Sequence, residues 1–298
     1  MEQILTAKNI VKRYGEKTVL DNVNMNIQKG DIYGFIGKNG AGKTTFMRVV
    51  LSLTYPQSGE VKLFGDKSIN EIGLKVGSLI ESPGFYKNLT AKENLKRFSL
   101  LYGADESKVD EILKWVGLSN TGNKKAKDFS LGMRQRLGIA IALLGDPELL
   151  LLDEPINGLD PEGIKEIRDL ILKLNKEHNI TILISSHLLD ELSKLVTRYG
   201  IINNGRMIEE ITSKELHEKC KQKLLIEVDD TKKACSIIEK IVSEESINII
   251  SNYEIEITSQ IEKASIINSS LIKGGVEVSA IYPNSNSLEE YFMKRIGE

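Results

Sequence analysis

Gly37-Lys38-Asn39-Gly40-Ala41-Gly42-Lys43-Thr44 stands between a short apolar run, Ile32-Tyr33-Gly34-Phe35-Ile36, and a segment of helical periodicity from Lys43 to Leu53. The octet fits the spacing G-x-x-x-x-G-K-[ST], set between a strand and a helix as its mechanics require. Glycines let backbone N–H groups turn inward around phosphate oxygens, and a helix starting at the same place adds partial positive charge there. Lys43 is then placed to reach β- and γ-phosphates, and the Thr44 hydroxyl to meet Mg²⁺. Gly37, Lys38, Asn39, Gly40, Ala41, Gly42, Lys43, Thr44 and Thr45 are the candidate nucleotide contacts. A dinucleotide fold is excluded, because no G-x-G-x-x-G register runs through Gly34, Gly37, Gly40 and Gly42.

Leu149-Leu150-Leu151-Leu152-Asp153-Glu154 is an apolar strand ending in two acids. Two carboxylates there repel and raise each other's pKa unless a cation lies beside them. A Mg²⁺ shared with Thr44 supplies that cation, with Asp153 in its shell. Glu154 is then free to accept a proton from an attacking water.

Strand and helix signals alternate around these stretches. Strands are expected at Ile4 to Val11, Val19 to Ile27, Ile180 to Ser185, Tyr199 to Ile202 and Arg206 to Ile211. Helices are expected at Lys92 to Tyr102, Ser107 to Val116, Leu131 to Leu144, Pro161 to His178 and Leu188 to Val196. Such alternation predicts a parallel sheet covered by helices. Beyond about Cys220 glycines thin out and a new order begins: strand Lys223 to Val228, helix Thr231 to Val242, strands Ile247 to Ile250 and Tyr253 to Ile257. Helix Ile261 to Ile272, strand Val276 to Tyr282 and helix Ser287 to Arg295 complete it. The order βαββαβ predicts a ferredoxin-like unit, so the domains are expected at 1–219 and 220–298.

The bulk numbers agree with a globular chain. In 298 residues, 41% hydrophobic and 28% charged, there is room for one large domain and a small one. A net charge of −2 gives no broad basic face for nucleic acid. Cys220 and Cys235 have no partner at metal-ligand spacing and read as reduced cytosolic thiols. Met1 to Lys8 lacks a basic region leading into an apolar stretch, so no signal peptide is expected. No apolar run approaches the roughly 20 residues that cross a bilayer. His178 and His217 sit in polar helical stretches and read as solvated surface residues.

Between the octet and the acids lies Phe129-Ser130-Leu131-Gly132-Met133-Arg134-Gln135-Arg136, which resembles the ABC signature L-S-G-G-Q-x-Q-R with Leu131 and Met133 as departures. Asn157-Gly158-Leu159-Asp160 resembles the D-loop, and His187 the switch histidine. In this order from Tyr14 to His187, the motifs resemble the ATP-binding subunits of ABC transporters. By itself Ser130 is also read as a helix N-cap, and Tyr14 as a core residue at a strand end.

The resemblance implies a P-loop ABC-type ATPase core with a parallel sheet, a β-rich N-terminal layer and a helical subdomain from about Leu89 to Ile139. It implies ATP and Mg²⁺ as cofactors and Lys43, Glu154 and His187 as catalytic residues. Tyr14 would stack on adenine. Ser130, Gly132, Met133 and Asp160 would contact the nucleotide held by a second copy of the chain. His187 would hold the γ-phosphate and the water. A separately encoded permease is implied as partner, with the ATPase at the cytoplasmic face of the plasma membrane and no nucleic acid bound.

One position departs from the wider family. Where a glutamine is usual, Ser78-Leu79-Ile80-Glu81-Ser82-Pro83-Gly84-Phe85-Tyr86 carries Glu81, which can ligate Mg²⁺ through oxygen but adds repulsion toward the γ-phosphate. Glutamate here, the signature and the tail Ser287-Leu288-Glu289-Glu290-Tyr291-Phe292 resemble the ATPases of bacitracin- and lantibiotic-type self-protection exporters. Phe85 and Tyr86 are expected at the groove facing the permease. The implied function is export of a membrane-active antimicrobial peptide, with lipid or drug efflux as the rival, and drift the other account of Glu81. A single P-loop and signature speak against a twin-cassette translation protein. The short Thr44 to Ser130 interval speaks against a coiled-coil chromosome ATPase.

Overall fold

The computed structural model describes residues 2–65, 75–284 and 288–297. The chain divides into two units, Met1–Ser213 and Lys214–Glu298. The break expected after residue 219 falls after Ser213, so that helix Ser213–Lys219, unread in the sequence, belongs to the second unit in all but its first residue.

In the first unit, strands β1 (Gln3–Tyr14), β2 (Lys17–Gln28) and β4 (Ser58–Leu63) make an antiparallel sheet in the order β2-β1-β4. A second sheet has the order β5-β6-β7-β3-β8-β9. Its strands are β5 (Val76–Leu79), β6 (Leu149–Asp153), β7 (Thr181–Ser186), β3 (Ile32–Ile36), β8 (Arg198–Asn203) and β9 (Arg206–Thr212). All pairs are parallel except β8 with β9. Every residue of β3, β6 and β7 is buried, which is why these strands read as continuous apolar runs rather than alternating ones.

Leu5 and Ile10 of β1, Val23 and Met25 of β2, Tyr33 and Phe35 of β3, and Leu149 and Leu151 of β6 share one core with Phe46 and Met47 of helix Lys43–Val50. Phe35 meets Phe46 edge-on at 5.3 Å. Each such side chain contributes about 1.5–3 kcal/mol on burial, so this core clamps the helix against the end of β3. The consequence is positional. The C-terminal ends of β3, β6 and β7 lie side by side, where open parallel sheets place their ligands.

The helical region contains Ala91–Tyr102, Val109–Trp115 and Leu131–Ala142. Thr90 and Glu93 form a reciprocal capping box at the first of these. His178 is not the solvated surface residue expected. It is half-buried, its ring lies 3.9 Å from that of Trp115, and its Nε2 is buried without a partner. The polar sequence around it hid this contact, which comes from a different helix.

In the second unit β11 (Ile247–Ile249), β12 (Glu254–Ile257), β10 (Lys223–Val228) and β13 (Val278–Asn284) form an antiparallel sheet in the order β11-β12-β10-β13. With helices Thr231–Ile238 and Ala264–Lys273 this is the ferredoxin-like arrangement, packed around Ile226, Ile238, Ile255, Ile257, Ile267 and Leu271. Cys220 and Cys235 are both free thiols. A last helix spans Leu288–Gly297; Ser287, where it was expected to begin, lies outside the described residues.

Candidate nucleotide site

The loop after β3 is built to receive an anion. Gly42 precedes helix Lys43–Val50 at φ 114°, where a Cβ would meet the Leu20 side chain at 2.8 Å and the Val19 carbonyl at 3.0 Å. Only glycine fits there. No side chain caps this helix, so its first N–H groups stay available to phosphate oxygens. Tyr14, Lys17, Asn39, Gly40, Gly42, Lys43, Thr44, Thr45 and Glu154 line one cavity. Gly37 closes the loop behind it, its carbonyl accepting from Lys43 Nζ at 2.6 Å, while the Lys38 carbonyl lies at 3.4 Å. The Ala41 N–H donates to the Lys38 carbonyl. Tyr14 is 48% exposed, with Lys12 Nζ 4.9 Å from its ring centroid, so it is no core residue.

The two acids at the end of β6 sit differently. Asp153 is buried; its Oδ2 accepts from Thr44 Oγ1 at 2.7 Å and its Oδ1 from Ser185 Oγ at 2.6 Å. A hydroxyl and a carboxylate at this distance are hard oxygen donors of the kind Mg²⁺ takes. Glu154 is turned out by a left-handed backbone, φ 48°, and its N–H donates to Ser185 Oγ at 2.9 Å. Its Oε1 lies 3.1 Å from Lys43 Nζ and its Oε2 2.9 Å from His187 Nδ1. Lys43, Glu154 and His187 are therefore one continuous chain of polar contacts.

Ser130, Gly132, Met133 and Asp160 come together elsewhere, lining a separate cavity with Gly158 and Leu159. Ser130 Oγ accepts from the Met133 N–H at 3.2 Å and so does cap helix Leu131–Ala142. Asp160 Oδ1 accepts from the Gly163 N–H at 3.0 Å and caps helix Pro161–His178. Two helix N-termini thus border this second cavity, which a phosphate held outside this chain would suit.

Glu81 is not among the residues lining either cavity. Its side chain is 58% exposed, its backbone is left-handed at φ 60°, and its Oε1 meets Arg48 Nη2 at 2.6 Å. Glu81, expected to share a metal with Thr44 and Asp153, here pairs instead with Arg48, one turn further along the helix that carries Thr44. Just beyond it, Leu53, Leu79, Pro83, Phe85, Tyr86, Phe98 and Tyr102 line an open groove. Sequence reasoning passed over Ser185 and Arg48. The Ser185-Ser186 pair ending an apolar strand beside a histidine was the one signal for the first; nothing in sequence flagged the second.

The ABC transporter family profile matches residues 20–157. The bacitracin transport ATP-binding protein BcrA of Bacillus licheniformis is 44% identical across all of this chain and 98% of its own length. The lantibiotic transport ATP-binding protein SrtF of Streptococcus pyogenes is 46% identical over 70% of this chain and 90% of its own. Among solved structures, cbiO1 from Clostridium perfringens, part of an ABC transporter complex, superposes with a TM-score of 0.66 and 27% identity, covering 72% of this chain and 91% of its own. A dimeric post-hydrolysis state of the ATP-binding cassette MJ0796, bound to ADP and Pi, gives a TM-score of 0.62 at 27% identity, over 70% and 99%.

Proposed function

Because this chain belongs to the ATP-binding proteins of ABC transporters, we propose that it hydrolyses ATP in head-to-tail pairs to drive export of membrane-active antimicrobial peptides through a separate permease. The chain is an ATP hydrolase of that family. The observation that carries the pairing is the division of the site. The P-loop residues and the Ser130–Asp160 group line two different cavities of one chain. A second copy, turned head to tail, brings its Ser130 and Gly132 to the γ-phosphate that this copy's Lys43 holds.

In this reading Tyr14 stacks on adenine, and the loop from Gly37 to Thr45 holds the phosphates. Thr44 and Asp153 are the residues that would hold Mg²⁺, which when bound neutralises charge on the β- and γ-phosphates. Lys43 exchanges its contact with Glu154 for the γ-phosphate. Glu154 takes the proton of the water as the new P–O bond forms and the bond to the β-phosphate bridging oxygen breaks. His187, at hydrogen-bond distance from Glu154, orients that water and the γ-phosphate.

The peptide cargo is supported by the bacitracin and lantibiotic transport relatives and by Glu81. Among the described residues no helix is long and apolar enough to cross a membrane. In this reading a separate permease carries the cargo and holds this subunit at the cytoplasmic face, as the relatives' role as transport ATP-binding proteins suggests. The groove at Phe85 and Tyr86 is the surface offered to it. The test is inhibitory concentration in cells expressing the chain with its neighbouring permease. Resistance to bacitracin or a lantibiotic, abolished by Lys43→Ala, is the expected result. Protection against hydrophobic drugs alone would replace the peptide reading with drug efflux.

A further inference from the structure

We propose that Ser185 is a positioning residue that sets the two β6 acids relative to each other. It rests on the reading of Glu154 as the base. Ser185 lies on β7, wholly buried, directly across from Asp153 in the parallel β6–β7 register. A serine hydroxyl has one proton to give. Asp153 Oδ1 can only accept and the Glu154 N–H can only donate, so the direction of both bonds is settled. Ser185 gives its proton to Asp153 and receives the one from Glu154.

The second bond explains how Glu154 stays where it is. Glutamate in left-handed backbone is unfavourable and persists only where the surroundings over-determine it. Glu154 follows the last residue of β6, so its N–H has no further strand partner in the ladder. Ser185 Oγ stands in for that partner. Lys43 and His187 hold the other end of the same residue.

The first bond fixes the metal-binding acid. Thr44 takes one oxygen of Asp153 and Ser185 the other, so the carboxylate cannot rotate. One buried hydroxyl thereby ties the side chain expected to hold Mg²⁺ to the backbone that aims the base. Ser185 lines neither cavity described above and is no catalytic residue. Its removal leaves a buried carboxylate oxygen and a partly buried N–H each short of a partner, free to shift both acids. A displacement of order 1 Å at a reacting centre costs about a hundredfold in rate.

The experiment compares Ser185→Ala, Ser185→Val and Ser185→Thr in the full chain. Valine fills the volume of threonine without the hydroxyl, so it separates hydrogen bonding from packing. Ala and Val should lower single-turnover hydrolysis by about ten- to a hundredfold, with ATP affinity, read by a fluorescent analogue, close to wild type. The Mg²⁺ concentration needed for half-maximal ATP binding should rise in both. Thr should restore most of the rate and the Mg²⁺ dependence.

Wild-type rates in Ala and Val, with Glu154→Gln inactive, would overturn the proposal alone. So would loss of ATP affinity together with thermal stability and no rescue by Thr, the signature of a merely structural residue. Full turnover in Glu154→Gln would overturn the assignment of the base, and the proposal with it.

Discussion

Replacing Glu154 with glutamine removes one negative charge from a side chain whose oxygens face Lys43 Nζ at 3.1 Å and His187 Nδ1 at 2.9 Å. At an effective dielectric of about 20, the gross attraction across the lysine contact is about 5 kcal/mol. Desolvation offsets most of it, since the Glu154 side chain is only 20% exposed. The contact is an ion pair and not a hydrogen bond, since Oε1 has no hydrogen-bond partner, and what it retains net is on the order of 1 kcal/mol. In the proposed mechanism nucleotide binding gives this contact up, because Lys43 is the cation offered to the γ-phosphate. The lysine itself is not stranded by the mutation, as the Gly37 carbonyl still accepts from it at 2.6 Å.

Two effects of opposite sign follow. ATP should bind the mutant about fivefold tighter, fivefold being about 1 kcal/mol. ADP, which lacks the γ-phosphate, should bind as before. Hydrolysis should fall about a hundredfold or more, at least about 2.7 kcal/mol of lost transition-state stabilisation. Affinities are best measured with Ser130→Arg added, which keeps the chain monomeric by filling the space of the partner's γ-phosphate. Light scattering then shows the second consequence: ATP assembles Glu154→Gln into dimers, and the double mutant stays single. Equal tightening for ATP and ADP would refute the Lys43 exchange. Turnover within a few-fold of wild type would refute the base, and a stable dimer of the double mutant the head-to-tail arrangement.

Glu81→Gln should leave the isolated ATPase and its melting temperature almost unchanged, because an exposed pair with Arg48 is worth at most about 1 kcal/mol. Resistance conferred by the complete transporter should fall; unchanged resistance would make the glutamate drift. Tyr33 tests the core: burial first, then the charge of Glu210 and the hydrogen bond to it at 2.5 Å, hold its phenol well above the ordinary 10.0. The folded chain keeps that proton where the unfolded chain loses it. The contribution is therefore complete below about pH 10 and is lost as pH rises from there toward the raised folded value. Urea unfolding of wild type should weaken in that window and Tyr33→Phe should lack this loss, while parallel curves would show the phenol plays no part.

What was legible in the sequence is what short stretches dictate by themselves. Loop chemistry from Gly37 to Thr45, the acids ending an apolar strand, and the βαββαβ order beyond Cys220 each depend on neighbours in the chain. β4 and β5 escaped because they are stabilised by distant partners rather than by their own pattern. The exposed, polar Ser58-Gly59-Glu60 run becomes a strand by pairing with β1, and Gly77 lets β5 approach the Ala142 carbonyl beside β6.

Residue type and spacing pointed to the phosphate loop and the pair of acids, since phosphate and proton chemistry need those residue types at those intervals, and the ATPase class was legible as a resemblance carried by the motifs in their order. Only the tertiary structure decided that Ser185 joins Asp153 to Glu154, that Glu81 faces Arg48, that His178 lies on Trp115, and that Ser130 and Asp160 share a cavity apart from Lys43. Each of those contacts joins residues brought together by sheet register or helix packing, and hydrogen bonds and ion pairs act over a few ångströms of space, whatever the separation along the chain.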